Sequence, residues 1–324
     1  MARRRLRPRL GLTLVLVTFA LATAGLIVRL TVRDATAATG MLYYGTPWPV
    51  IASLVILAGG GLRWRSRSPW SIPLAATGLL VLAVSTWTNC RSPKNVGLSG
   101  TTLSCLVWNC DHGQRGWDRV ADAVRAFETD IVCLVEAGSV SPLQTLFWQR
   151  AFPDHASGGL GSGMLVLVKN GTVRQVGSGS LDGNARYRQF DVHCHGQSLT
   201  IFVIDVKSTP WLWRKSPLQS MHEVIREFLA KTPNRPVLVT GDFNTPSDSV
   251  WFSSWRETLQ NAWEQAGAGY RPTWPVPLPV HDLDQCWGND HITFTRCQAD
   301  WSTWSDHRPV LTRFAVAAQT ARAR

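Results

Sequence analysis

The first third of the chain contains long stretches without a single charged side chain. No Asp, Glu, Lys or Arg occurs in residues 11–28, 35–62 or 68–90. An apolar run of about 20 residues is long enough to cross a bilayer as a helix. We therefore predict three membrane-spanning helices, at about 11–30, 41–62 and 69–89, which form an anchor over residues 1–94.

The first apolar run has a second interpretation. Five arginines precede it and an Ala-Thr-Ala-Ala string lies near residue 38, a pattern also typical of a cleaved signal peptide. The run is long for a signal, and two further apolar runs follow it, which favours the anchor.

The arginines of the anchor predict its orientation. They are concentrated before the first span and between the second and third, at Arg63, Arg65 and Arg67. Short loops rich in Lys and Arg stay on the cytoplasmic side. The N-terminus is therefore predicted inside, and the chain after Cys90 outside, the cytoplasmic membrane.

Residues 95–324 lack an excess of positive charge. The formal net charge of the whole chain is +11, and residues 1–94 account for all of it. A domain that binds nucleic acid through many phosphates usually has a basic surface. The charge balance therefore argues against a nucleic-acid partner without excluding one.

Two pairs of closely spaced cysteines, as a thiolate zinc site requires, are absent. The seven cysteines are compatible with an oxidising compartment, and their odd number leaves at least one unpaired. Cys286 and Cys297 bracket a predicted strand and are either a disulfide or two buried thiols. His193 and His195 share one face of a predicted strand, but no other candidate ligand is nearby, which favours a surface feature.

After a polar linker at 95–101, apolar runs alternate with helical patterns up to residue 316, and 317–324 form a tail. Helices are predicted at 117–128, 217–230 and, in pieces, 247–266. Predicted strands are 102–109, 131–135, 162–169, 186–193, 199–206, 236–240, 290–295 and 310–315. Some strands follow one another without a long helix between them, which favours a layered α/β sandwich over a doubly wound parallel sheet.

Polar side chains stand at the ends of several predicted strands. They are Asn109, Asp111, Glu136, Asp242, Asn244, Asp290, Asp306 and His307. One such residue is usually a turn residue. Together, however, they offer the oxygen ligands that a hard cation such as Mg²⁺ prefers. Such a cation can stabilise charge on a phosphoryl oxygen and position a water.

Five strings in this region resemble, in order, the motifs of the endonuclease/exonuclease/phosphatase family. They are Val-Trp-Asn-Cys-Asp (107–111), Cys-Leu-Val-Glu (133–136), Gly-Asp-Phe-Asn (241–244), Asp-His-Ile (290–292) and Ser-Asp-His-Arg-Pro-Val (305–310). The resemblance covers about residues 102–315. It implies a four-layered α/β sandwich, with two packed mixed β-sheets flanked by helices. It also implies a phosphoesterase that depends on Mg²⁺, with Mn²⁺ as a substitute.

The resemblance also implies a set of metal ligands. Glu136 is expected to be the main ligand, with contributions from Asn109 and Asp111. Asp306 is expected to lie near the metal.

The catalytic roles implied by the resemblance fall on four further residues. Asp242 is expected to orient or deprotonate the attacking water, and Asn244 to hold water or phosphate. His307 is expected to contact the scissile phosphate, with its imidazole oriented by Asp290. The charge developing on the phosphoryl oxygens would thus meet both a metal and an imidazolium.

One position departs from the family pattern. Members usually carry His, or Tyr in some nucleases, in a string such as Asn-Thr-His-Leu that precedes Gly-Asp-Phe-Asn. Here residues 204–208 read Ile-Asp-Val-Lys-Ser, which places Lys207 in the histidine's position. Our hypothesis is that its ammonium binds the phosphate as a point charge. The alternative is that the alignment slips by a residue or two and Lys207 is a surface residue.

Sixteen tryptophans are present, and two of them follow the strand that leads to Lys207. Trp211 and Trp213 are predicted to contact substrate or membrane, because aromatic rings suit bases, sugars and the bilayer interface. Most of the others are expected to pack in the core or in loops.

These observations predict a membrane-anchored, Mg²⁺-dependent phosphodiesterase or phosphatase that acts outside the cytoplasmic membrane. A lipid headgroup is slightly favoured over nucleic acid as substrate, because the domain is tethered at the bilayer and has no net positive charge. An anchored extracellular nuclease is one alternative. A catalytically inactive, phosphoester-binding membrane protein is another.

Overall fold

The computed structural model describes residues 3–93, 101–209, 211 and 213–317. The chain divides into two compact units, Met1–Cys90 with Thr209–Trp213, and Arg91–Ser208 with Arg214–Arg324. Almost all of the predicted linker at 95–101 and tail at 317–324 lies outside the described residues.

The first unit is helical. It contains α1 (Arg3–Leu30), α2 (Ala37–Gly45), α3 (Trp48–Ser66) and α4 (Ser71–Asn89). Two segments, Gly11–Leu30 and Ser71–Asn89, are long and apolar enough to cross a membrane. The helices α2 and α3 qualify as one span only if taken together, and they are bent by 70° at the break. Pro47 lies at that break. Proline has no backbone N–H to donate and its ring clashes with the preceding turn, so it interrupts a helix.

Small residues let α3 and α4 approach closely. A Cβ on Gly59 would lie 2.9 Å from the Ser71 carbonyl oxygen, and one on Gly78 would lie 2.8 Å from the Ala52 carbonyl oxygen. Apolar helices in lipid associate through such close backbone packing. The predicted anchor residues therefore form a packed helical unit rather than isolated helices.

The second unit is a sandwich of two six-stranded mixed sheets. The first sheet contains β1 (Thr102–Asn109), β2 (Ile131–Val135), β3 (His155–Gly159), β4 (Leu165–Lys169), β11 (Ile292–Ala299) and β12 (Val310–Val316). The second contains β5 (Thr172–Leu181), β6 (Ala185–Cys194), β7 (Gln197–Val206), β8 (Val237–Asp242), β9 (Gln260–Asn261) and β10 (Asp284–Gly288). Their strand orders are β11-β12-β1-β2-β4-β3 and β9-β10-β8-β7-β6-β5.

Alternating side chains of β1 show how the layers form. Cys105 and Val107 belong to the core between the two sheets, whereas Leu106 and Trp108 pack under helices on the other face. Because both faces of the sheet are covered, the sequence of β1 is a continuous apolar run rather than an alternation of apolar and polar residues.

Helices cover the outer face of each sheet. On the first sheet lie α5 (Trp117–Ala126) and α6 (Pro142–Ala151). On the second lies α7 (Lys215–Lys231), whose Phe228 ring is 5.4 Å from that of Phe202 on β7. A short helix, α8 (Ala262–Ala266), also contributes to the core. The predicted four-layered sandwich is confirmed.

Several elements differ from the sequence prediction. The strands β3, β5 and β10 and the helix α6 were not predicted, and β4 begins at Leu165 because residues 161–163 form a turn. Cys286 and Cys297 are both buried and free, so the disulfide interpretation is wrong for this structure. Burial raises the pKa of the Cys297 thiol to about 12.

Candidate active site

Two pairs of parallel strands end at the same edge of the sandwich. In the first sheet Asn109 is the partner of Val135, and in the second Asp205 is the partner of Asp242. The side chains of Asn109 and Asp242 meet across the gap between the sheets, where Asn109 Nδ2 donates to Asp242 Oδ2 at 3.0 Å. The carboxyl ends of four strands therefore form one polar cleft.

Asp242 is held by hydrogen bonds from the turn that follows it. The Asn244 backbone N–H donates to Asp242 Oδ1 at 2.8 Å, and Asn244 Nδ2 donates to Asp242 Oδ2 at 2.8 Å. Asn244 adopts φ 45°, a left-handed conformation that Asn tolerates better than most residues. The Gly-Asp-Phe-Asn string thus fixes a buried carboxylate, which is 1% exposed.

His307 lies between two carboxylates. Its Nδ1 is 2.7 Å from Asp284 Oδ2, and its Nε2 is 3.9 Å from Asp242 Oδ2. Because the short contact is to a carboxylate, Nδ1 carries the proton. The backbone is also fixed, since the His307 N–H donates to Ser305 Oγ at 3.0 Å and Trp108 Nε1 donates to the His307 carbonyl at 2.9 Å.

The expected partner of His307 was wrong. Asp290 has a side chain that is 84% exposed, and its ion-pair partner is His291, at 3.7 Å. The strand β10 is antiparallel to β8, with Asp284 opposite Asp242 and Gly288 opposite Leu238. The start of β10 therefore lies at the cleft. Its far end, Gly288, is about 13 Å of strand away, and Asp290 follows two residues later.

The expected metal ligands stand on the first-sheet side of the cleft and on the loop before β12. Glu136 follows β2, has φ 53° and is half-buried, and the Asp111 N–H donates to Asn109 Oδ1 at 2.9 Å. Asp306 Oδ2 accepts a hydrogen bond from Trp274 Nε1 at 3.0 Å. One neighbour was not predicted: His112 Nε2 lies 3.3 Å from Glu136 Oε2.

Burial and neighbouring carboxylates raise the pKa values of two of these groups. Burial and the Asp306 charge raise the pKa of Asp111. Burial raises the pKa of Glu136, and Asp205 adds to that effect while His112 and Asn109 oppose it. An oxygen-rich site whose carboxyl pKa values are raised fits a divalent cation, whose charge favours the ionised carboxylates.

The His307 side of the cleft has a different electrostatic character. Burial alone would lower the pKa of His307, but the Asp284 and Asp242 carboxylates raise it to about 10. Burial raises the pKa of Asp242 to about 7, the His307 charge opposes this effect, and Asp284 and Asp205 add to it. We infer an imidazolium held between carboxylates.

Asp242, Asp284 and His307 also offer ligand atoms within 4.8 Å of one another, which is close enough for a cation. Their contacts favour another role, because Asp284 Oδ2 is bonded to His307 and Asp242 already accepts bonds from two asparagines. Asp284 Oδ1 is buried and has no hydrogen-bond partner among the described residues. These contacts fit proton transfer at the trio and leave the oxygen atoms around Glu136 as a second place that could hold a cation.

The remaining predicted residues lie at the rim or elsewhere. Lys207 directly follows β7 and is exposed, and its carbonyl accepts a hydrogen bond from Arg214 Nη1 at 2.7 Å. Trp211 and Trp213 are 69% and 42% exposed. Their segment belongs to the helical unit. Among the described residues, no carboxylate oxygen lies within 4 Å of the Lys207 ammonium.

Sequence reasoning missed Asp205 and Asp284. Asp205 is buried on β7 beside Asp242, and Arg186 Nη2 contacts its Oδ2 at 3.1 Å. An acidic residue inside the apolar run 199–206 was the available signal, because a buried charge needs a partner. For Asp284 the signal was weaker, since it precedes the short apolar string Cys286–Trp287 that was not read as a strand.

Comparisons with known proteins agree with this geometry. The sequence profile described as Endonuclease/Exonuclease/phosphatase family matches residues 106–307. None of the curated protein sequences compared with the chain matches it.

Solved structures share the fold at low sequence identity. A mannosyl-6-phosphatase from Bacteroides thetaiotaomicron has 16% identity and a TM-score of 0.56, over 66% of this chain and 99% of that one. TDP2 from D. rerio, complexed with single strand DNA product, has 15% identity and a TM-score of 0.52, over 67% and 100%. The catalytic domain of human Nocturnin with bound sulfate anion has 18% identity and a TM-score of 0.53, over 68% and 96%.

The profile match covers more than half of the chain, and the structural neighbours have the same layered architecture. The motifs that carry the resemblance converge at one cleft, apart from the string at 290–292. On this evidence the chain belongs to the endonuclease/exonuclease/phosphatase family of metal-dependent phosphoesterases.

Proposed function

We propose that this protein is a membrane-anchored phosphodiesterase or phosphatase that hydrolyses a phosphoester outside the cytoplasmic membrane with the aid of Mg²⁺. The observation that carries the proposal is the convergence at Asp242. Its carboxylate accepts a hydrogen bond from Asn109 at 3.0 Å and lies 3.9 Å from His307 Nε2. A carboxylate and an imidazolium at one cleft can align a nucleophile and stabilise a phosphoryl oxygen.

The cation would be held by Glu136, with Asn109, Asp111 and Asp306 around it. Their oxygen atoms are the ligand type that Mg²⁺ prefers, and Mn²⁺ accepts the same set. When bound, the cation supplies Lewis-acid stabilisation of the charge that develops on the phosphoryl oxygens.

The other side of the cleft handles protons. Asp242, buried and held by Asn109 and Asn244, orients the attacking water and accepts its proton. His307 donates from Nε2 to a phosphoryl oxygen, and Asp284 holds the imidazole in place through Nδ1. Asn244 adds an amide next to Asp242 that can hold water or phosphate.

Lys207 provides a test of the departure from the family pattern. We expect Lys207→Ala to lower kcat by roughly 10²-fold, because the ammonium would stabilise charge on the phosphate in the transition state. Lys231→Ala, at an exposed lysine that pairs with Glu227 on α7, is the matched control. Steady-state rates decide: an unchanged kcat in the Lys207 variant removes this residue from the site.

The location of the substrate follows from the anchor. Helices apolar enough to cross a membrane precede the catalytic unit, and the arginine distribution favours an outside location for it. Exposed Trp211 and Trp213 suit contact with the bilayer interface or a substrate ring. A membrane phosphoester, such as a lipid headgroup, is therefore favoured slightly over nucleic acid.

An anchored extracellular nuclease is the second candidate. The observation that favours it is the similarity to TDP2 complexed with single strand DNA product. The balanced charge of residues 95–324 weighs against it.

The test uses the full-length protein in lipid nanodiscs with Mg²⁺. We would measure hydrolysis of nanodisc phospholipids, of plasmid DNA and of bis(p-nitrophenyl) phosphate, with Glu136→Gln as the inactive control. Release of a lipid headgroup by the wild type but not by the Glu136→Gln variant supports the proposal. Cleavage restricted to DNA would establish the nuclease, and no hydrolysis of any phosphoester would favour a binding protein.

A further inference from the structure

The strand β6 carries two arginines on the face that points toward the first sheet. Its side chains alternate: the ring of Tyr187 is 6.1 Å from that of Phe202 on the outer face, toward α7. Arg186 and Arg188 therefore lie on the inner face, as does Phe190, which is fully buried in the core between the sheets. Both arginines lie nearer than Phe190 to the end of β6 that stands beside Asp205 and Asp242.

Arg186 lies beside the catalytic cleft, in the same sheet as Asp242. It is the register partner of Asp205 on β7, which is in turn the partner of Asp242 on β8. Two strand spacings of about 4.8 Å place its backbone about 10 Å from that of Asp242. Its Nη2 contacts Asp205 Oδ2 at 3.1 Å.

Arg188 is positioned against the loop that supports Glu136. Its Nε donates to the Gly161 carbonyl at 2.6 Å, and a Cβ on Gly161 would clash with the guanidinium. The same turn leads to Gly163, whose carbonyl accepts a hydrogen bond from the Ala137 N–H at 2.7 Å. The turn thus connects the guanidinium of Arg188 to the residue next to the expected metal ligand.

The charge of Arg188 has no carboxylate to balance it. Among the residues that the structure describes, no acidic oxygen lies within 4 Å of its guanidinium, and the bond to Gly161 is its hydrogen bond. Burial and the nearby charge of Arg186 lower the pKa of Arg188. Arg186 is paired with Asp205, whereas the half-buried guanidinium of Arg188 has no such anion, and an anion bound beside it would favour its charged form.

We propose that Arg188, with Arg186 beside it, binds a second phosphate group of the substrate. The substrate is then a phosphoester that carries a further phosphate beside the one that is cleaved. A guanidinium recognises phosphate through two parallel N–H···O bonds, which an ammonium cannot reproduce. The inference rests on the proposed phosphoesterase function, because the second phosphate is defined relative to the scissile one.

The first experiment measures binding, so that it does not depend on turnover. Full-length protein in nanodiscs with Mg²⁺ is titrated calorimetrically with thymidine 3′,5′-bisphosphate and with thymidine 5′-monophosphate, which differ only in the second phosphate. We expect the wild type to bind the bisphosphate about 10- to 100-fold more tightly, the range for a charge-assisted hydrogen bond. Arg188→Gln should bring the two dissociation constants within about threefold of each other.

Two further variants separate recognition from structure. Arg188→Lys keeps the charge but not the paired donors, so it should give an intermediate preference. Arg174→Gln, at an exposed arginine on β5 that lies 3.6 Å from Asp191, should keep the wild-type preference. If Arg188→Gln fails to fold, the Arg188→Lys result decides, and a full wild-type preference in that variant contradicts bidentate recognition.

A kinetic comparison completes the test. The p-nitrophenyl ester of thymidine 5′-phosphate and its 3′-phosphorylated analogue should differ in KM in the wild type, and this difference should be lost in Arg188→Gln. Equal affinity of the wild type for both nucleotides, or an equal loss for both in the variant, overturns the inference. If the wild type hydrolyses neither these esters nor the lipid, DNA and bis(p-nitrophenyl) phosphate substrates above, the proposed function is refuted, while the binding ratio still reports on the arginines.

Discussion

Asp284→Asn is expected to lower kcat by about 10²–10⁴-fold, the range for loss of a positioned acid–base group. The carboxylate of Asp284 accepts from His307 Nδ1 at 2.7 Å, and an amide in its place can present N–H to the ring and favour the wrong tautomer. The fold should survive, because the substitution changes one buried atom. Steady-state kinetics with bis(p-nitrophenyl) phosphate measure the effect.

The matched control is Asp290→Asn. Its side chain is 84% exposed and lies beyond the far end of β10, so kcat should stay within about twofold of the wild type. The reverse outcome, with Asp290→Asn inactive and Asp284→Asn active, would show that the register of β10 is wrong.

The pH dependence of kcat provides a second test of the role of Asp284. His307 must be protonated to donate to a phosphoryl oxygen, and neighbouring carboxylates raise its pKa to about 10 although burial opposes this. Activity should therefore persist in mildly alkaline solution and fall as the imidazolium loses its proton. Asp284→Asn removes one of the two raising charges, so the alkaline limb should move to lower pH.

Glu136→Gln is expected to lower kcat by about 10²–10³-fold and to weaken cation binding. The carboxylate is the expected main ligand, and a neutral amide removes a full negative charge from the site. Binding of Mn²⁺, followed by electron paramagnetic resonance, reports on the site without relying on turnover. Removal of divalent cations from the wild type should abolish activity, and added Mg²⁺ should restore it.

Glu227→Gln provides the control for this change, because Glu227 is an exposed residue of α7 whose ion-pair partner is Lys231. It should leave both Mn²⁺ affinity and kcat near wild-type values. Unchanged Mn²⁺ binding in Glu136→Gln would move the cation away from Glu136 and toward the buried trio of Asp242, Asp284 and His307.

Many residues of the cleft could be predicted because the sequence shows where strands end. An apolar run that stops at a polar residue places that residue at the rim of a sheet. Asn109, Asp242 and His307 could be named for this reason, together with the family motifs, and the structure brings them together. The alternation of runs and helices predicted a layered α/β sandwich, and the family resemblance implied its four layers.

The errors arise where the sequence carries no information about direction or register. Asp284 and Asp290 flank one short strand, and only its antiparallel pairing with β8 decides which of them faces the cleft. The contact between Arg188 and Gly161 joins a strand of the second sheet to a turn of the first. Such a contact depends on how the sheets pack, which local patterns do not encode.

Four residues of the cleft have left-handed backbone conformations. Asp111, His112, Glu136 and Asn244 have φ values of 48°, 50°, 53° and 45°. A non-glycine residue held in this region costs about 1–3 kcal/mol. Glycine would relieve that strain at each position but would remove the side chain that the chemistry uses. Selection for a more stable fold would therefore favour glycine at these positions, whereas selection for catalysis would keep the functional side chains.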